Sequence, residues 1–121
     1  MRTPYVLLLD LVCVVVFAAL GRGAHGEAVG LGSVAATAWP FLLGCLAGWG
    51  VLRLWRDGTR PLNGLWLMLV TVVIGHTVRV LTGGSTHWTF VLVSVITLSV
   101  LLVGWRLVAS AVLRRRSVTA R

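Results

Sequence analysis

Apolar residues fill four long stretches of the chain, and short polar clusters separate them. The first stretch runs from about Tyr5 to Gly21 and the second from about Val34 to Leu54. The third runs from about Gly64 to Leu81 and the fourth from Trp88 to about Ala109. A bilayer core takes about 20 residues of helix, whereas a membrane strand needs about 10 with alternating polarity. The stretches show no such alternation, and a helix satisfies its own backbone in lipid. The pattern predicts an all-α fold: a polytopic membrane protein built as a four-transmembrane-helix bundle of two helical hairpins. The connections read RGAHGEAVGLGS after the first stretch, WRDGTRPLN after the second and TGGSTH after the third. All three carry the glycines and polar residues of loops. One transmembrane domain is expected over residues 1–109, with helices at about 5–21, 34–54, 64–81 and 88–109. A basic cytoplasmic tail is expected over residues 110–121.

Composition supports lipid as the solvent. Of 121 residues, 58% are hydrophobic and only 12% charged, and the mean hydropathy is +0.96. A soluble domain carries about 25% charged residues. Four spans use nearly the whole length, which leaves no room for a soluble catalytic domain. The first stretch has some marks of a signal peptide: Arg2, an apolar run, and small residues at Ala18, Ala19 and Gly21. Asp10 interrupts the run and no clean A-x-A site follows, so a retained helix is expected. Cys13 and Cys45 both fall in apolar stretches without metal-site spacing and are expected as buried thiols.

Charge sets a direction. The formal net charge is +8, and all eleven basic residues are arginine. In a soluble chain this would suggest nucleic acid. Here the arginines gather at segment ends, so no nucleic-acid partner is expected. With four crossings, one side holds Arg2, Arg53, Arg56, Arg60, Arg106, Arg114, Arg115, Arg116 and Arg121, and the other holds Arg22 and Arg79. Basic residues in short loops stay cytoplasmic. Both termini are therefore expected inside, in a multi-pass protein of the cell membrane. So strong a bias also argues against an antiparallel dual-topology dimer. Tyr5, Trp55, Trp66 and Trp105 are expected to form the inner aromatic belt, with Trp88 at the outer interface.

Ionisable residues inside the spans need a partner or a role, since each costs about 2.5–3.5 kcal/mol at the centre on insertion scales. Asp10 lies about 9 Å from the inner edge at 1.5 Å per residue. Arg106 and Arg53 lie near the inner ends of their helices, and both are candidates to reach Asp10. The result is a structural ion pair or a protonatable site in an ion pathway. His76 and Arg79 share one face of the third helix. With Arg22, His25 and Glu27 of the first connection and His87 of the third, they form a polar cluster toward the outer side. This cluster suits a small anion or a lipid headgroup, or else a Glu27 ion pair to Arg22 or Arg79 with solvated histidines. Its scattered spacing does not match a zinc site, so no metal is expected.

Gly44-x-x-x-Gly48 marks a close-packing face, either inside the bundle or between protomers. Pro40 is a kink candidate in the second helix. A faint repeat sets Gly48-Trp49 beside Gly104-Trp105, each near the end of its hairpin. Phosphate loops, GxSxG, HExxH and haem motifs are absent from the sequence, so neither an enzyme nor a cofactor has positive support.

Several of these residues in order, Asp10, Gly21-Arg22-x-x-His25, Trp39-Pro40, Arg79 and Trp105-Arg106, resemble an actinobacterial and haloarchaeal family of short membrane proteins known as a domain of unknown function. The likeness spans about residues 5 to 108 and implies a four-helix membrane protein without implying an activity. Three function classes stay open. One is a small transporter or channel, which expects Asp10, His76 and Arg79 to face a watery cavity. Another is a non-catalytic module packing against lipid or a larger membrane partner, which expects no cavity and an exposed glycine face around Gly44 and Gly48. The last is an enzyme acting on a lipid or isoprenoid headgroup, with a cleft opening sideways. Lipid is the expected partner throughout, with a homo-oligomer also open.

Overall fold

The computed structural model describes residues 3–24, 31–56, 59–83 and 88–120, without the side chains of residues 22–24, 31, 33 and 116–120. Four helices account for nearly all of it: α1 (Thr3–Ala24), α2 (Leu31–Leu52), α3 (Pro61–Leu81) and α4 (Trp88–Ala120). All four are long and apolar enough to cross a membrane. The described residues contain no strand. α1, α3 and α4 outrun their apolar stretches, α2 starts three residues early and ends at Leu52 rather than Leu54, and α4 carries on without a break through the basic segment after Ala109. Ser110 to Leu113 are moderate to good helix formers and offer no stop signal, which explains the continuation.

Each helix packs on its sequence neighbours, and α1 closes the ring onto α4. The start of α1 lies beside the end of α2, the start of α3 and the Leu102–Arg106 turn of α4. This end is called basal below, and the opposite end apical.

Local chemistry sets the ends. Pro61 opens α3 at a position where its missing N–H costs nothing. Gly83, at φ 92°, follows the last turn of α3, and the Thr82 hydroxyl caps the carbonyls of Val78 and Arg79. The end of α2 is less usual. Arg53 takes φ 52°, the left-handed region, and the Leu54 N–H returns to the Trp49 carbonyl at 3.2 Å. This is a Schellman closure with arginine where glycine is the common choice. Its gain is Leu54, which folds back into the core and is 2% exposed.

The core follows the lipid-solvent logic. Val14, Phe17, Phe41, Cys45, Leu67, Leu98 and Leu102 are fully buried. Leu8, Val12, Leu43, Val51, Val73, Ile96 and Val100 face outward, in a quantity that water would not tolerate. Gly44 and Gly48 turn toward α3 inside the bundle, so the exposed glycine face expected of a non-catalytic module is not present at these two residues. A Cβ on Gly44 would stand 2.8 Å from the Thr71 carbonyl oxygen, and one on Gly48 would stand 2.7 Å from Leu67 Cδ1. Gly75 returns the favour by admitting the Phe41 ring against α3. These close approaches make α2–α3 a tight pair.

Candidate functional site

Two polar layers cross the bundle. The basal layer centres on Asp10 of α1, which is fully buried. Arg106 of α4, also fully buried, meets it bidentately: Nη1 donates to Oδ1 and Nη2 to Oδ2, both at 2.7 Å. The indole N–H of Trp105 donates to Oδ1 at 2.9 Å, and that of Trp49, on α2, donates to Oδ2 at 2.8 Å. A carboxylate offers about four acceptor positions, and four donors hold them here. Arg106 Nη1 also donates to the Leu102 carbonyl at 2.9 Å, and the guanidinium stands 4.5 Å from the centre of the Trp105 ring. On α3, Gly64 makes room, because a Cβ there would come within 2.8 Å of the Leu102 oxygen and 3.0 Å of Arg106 Cδ. All four helices thus contribute to one node. An ion pair in a dry interior is tolerable only with such complete hydrogen bonding.

Arg53 is not part of this node. The left-handed turn that ends α2 leaves its side chain exposed, and the Asp10 acceptors are already occupied. Trp105 likewise leaves the expected aromatic belt to serve Asp10, whereas Tyr5, Trp55, Trp66 and Trp88 are exposed. Trp49 and Gly64 belong to the node although neither is ionisable. The paired Gly-Trp steps of the two hairpins were the one signal for Trp49.

The apical layer centres on His76 of α3, which lies 3.0 Å by Nε2 from the Ser94 hydroxyl of α4. Ser94 itself donates to the Val91 carbonyl at 2.7 Å. Aromatic rings surround the imidazole. Phe41 of α2 and Phe90 of α4 meet it edge to face at 5.0 and 5.3 Å, and Phe17 of α1 packs on both phenyl rings. Arg79, one turn further, stands 4.9 Å above the Phe90 ring, a cation–π contact. His76 is thus an inward residue at an aromatic node, not a solvated one. Arg22 lies on the last turn of α1 with its side chain undescribed, and His25, Glu27 and His87 lie outside the described residues. Among the described residues no three His, Cys, Asp or Glu gather to hold a metal ion.

Gly64 marks the level of Arg106 on α3, and His76 follows twelve residues later. The two layers are therefore about 18 Å apart at 1.5 Å per residue. Between them lies Thr71, whose buried Oγ1 has no hydrogen-bond partner. At the apical end an open groove of about 340 Å³ runs along α3, lined by His76, Thr77, Val80 and Leu81.

A family model describing a protein of unknown function, DUF3054, matches residues 7–109. The chain belongs to the DUF3054 family. The matched region begins before Asp10 and ends after Arg106, so both polar layers lie within the DUF3054 region. No curated protein matches the chain, and no solved structure does. Four helices long and apolar enough to cross a membrane, in this family, are consistent with a multi-pass membrane protein of unknown activity.

Proposed function

We propose that this DUF3054 protein is a non-catalytic membrane module that binds a lipid in the apical groove of α3, with both termini on the cytoplasmic side. The observation that carries the reading is the contrast between the two polar layers. Asp10 has no acceptor position left for a ligand, so its layer serves as the staple of the bundle. His76, 9% exposed and bonded through Nε2 to Ser94, instead lines an open groove along α3 together with Thr77, Val80 and Leu81. His76 and Thr77 would supply the polar contacts of the groove, and Val80 and Leu81, one turn nearer the apical surface, its apolar wall. The arginine bias between the two sides supports the orientation.

The test is lipid analysis of the protein extracted in polymer nanodiscs. Wild type should retain a lipid that Val80→Trp, which fills the groove, loses without loss of thermal stability. Equal retention by both would sink the reading.

A second reading, ion passage, has one observation in its favour: the unpartnered Thr71 Oγ1 between the two layers. It predicts proton flux in proteoliposomes that Thr71→Val abolishes.

A further inference from the structure

We propose that the basal cleft between the start of α3 and the continuation of α4 is a binding site for one anionic phospholipid. The site is separate from the apical groove and does not depend on it. Its cavity, of about 380 Å³, is lined by Pro61 of α3 and by Leu107, Ser110, Ala111 and Arg114 of α4.

The α4 residues recur at intervals of three and four, so they form one stripe of the helix. The stripe changes character along its length. Leu107 and Ala111 with Pro61 give an apolar wall, Ser110 adds a hydroxyl, and Arg114 ends the stripe with a fixed positive charge. The stripe is apolar with one hydroxyl as far as Ala111 and ends in a cation, which suits a lipid whose phosphate lies at the basal end.

The depth of the site agrees. α4 has 33 residues, about 50 Å at 1.5 Å per residue, against a hydrocarbon core of about 30 Å. Counted from Trp88, the core is crossed after about 20 residues, which is near Leu107. Arg114, about two turns further, then stands at headgroup level.

Charge decides between an anionic and a zwitterionic headgroup. Arg53, Arg56, Arg60, Arg114 and Arg115 are all exposed around this end. In sequence, the segments 53–60 and 106–116 carry seven arginines against one aspartate, Asp57. An anionic surface lipid is the complementary partner.

The full chain in nanodiscs of mixed phosphatidylglycerol and phosphatidylcholine, read by native mass spectrometry, tests this. Wild type should keep one phosphatidylglycerol in preference to phosphatidylcholine. Arg114→Gln should lower that preference about fivefold, the scale of one basic contact at a membrane surface. Ala111→Trp, which fills the cleft, should abolish it. Arg115→Gln removes the same charge from a residue that does not line the cleft, and should leave the preference unchanged. These residues are exposed, so unchanged thermal unfolding is expected and serves as the control for folding. Equal loss in Arg114→Gln and Arg115→Gln would mean diffuse attraction and overturn the site. Retention by Ala111→Trp, or displacement by inorganic phosphate, would overturn it too. Val80→Trp, which blocks the apical groove, should leave this lipid in place, and its loss there would count against a separate basal site.

Discussion

Trp49 and Trp105 donate to different oxygens of one carboxylate, Trp49 to Asp10 Oδ2 at 2.8 Å and Trp105 to Asp10 Oδ1 at 2.9 Å. They occupy matching Gly-Trp steps in the second helix of each hairpin. The two hairpins are thereby tied to a single charge on α1. Removing either indole N–H leaves a buried acceptor position empty, and a hydrogen bond to a charged group is worth about 1.5–3 kcal/mol. Trp49→Phe and Trp105→Phe should each lower stability by about that amount in reversible unfolding from detergent. A loss below a few tenths of a kcal/mol for both would show that Arg106 alone holds Asp10.

Arg106→Ala should be far worse than either. It strands a buried carboxylate, a change that costs about 3–5 kcal/mol. Asp10→Leu combined with Arg106→Leu removes both charges and should recover most of the loss. The measurement is the coupling energy between the two sites in a double-mutant cycle. Additive effects would contradict the 2.7 Å ion pair.

Arg53 supplies a prediction of the opposite sign. Its φ of 52° is one that a non-glycine residue adopts at a cost of order 1 kcal/mol. Arg53→Gly relieves that strain and removes a side chain that is exposed. Stability should rise, by less than the full strain because glycine also loosens the unfolded chain. Destabilisation on this substitution would assign the Arg53 guanidinium a structural partner.

The α2–α3 contact can be tested by bulk. A Cβ on Gly44 would press on the backbone of Thr71, and one on Gly75 would press on Phe41. Gly44→Leu and Gly75→Val should each destabilise the fold by about 1–3 kcal/mol, the usual scale of overpacking. Their mass in light scattering should match wild type, since both glycines pack within the bundle. A shift in oligomeric state with intact stability would move the glycine face to an interface between protomers.

Arg79→Ala removes a cation–π contact with Phe90 at a partly exposed site. It should cost about 0.5–1 kcal/mol in the same unfolding assay, well below Arg106→Ala. A loss as large as that of Arg106→Ala would make Arg79 a second staple.

The spans could be read directly because hydropathy is a property of each stretch by itself. Four apolar stretches of bilayer length required helices whatever their neighbours. The same reasoning singled out Asp10, Arg106, His76 and Arg79, since an ionisable group in an apolar run stands out without any tertiary knowledge. What surrounds those groups depends on helix rotation, which sequence spacing does not set. Arg53 and Arg106 stand equally close to the basal end in the sequence, yet a left-handed turn exposes one and a four-helix node buries the other. Trp105 had the composition of a belt residue, but its rotation toward Asp10 made it a ligand of the carboxylate. Gly64 and Gly75 carry no side chain to read, and their role exists only because Arg106 and Phe41 come to lie against them. Ser94 is one hydroxyl among several in α4, and only packing shows that it meets His76. The apolar periods thus determined that this chain is four membrane-length helices, and close packing alone decided which of its polar residues meet.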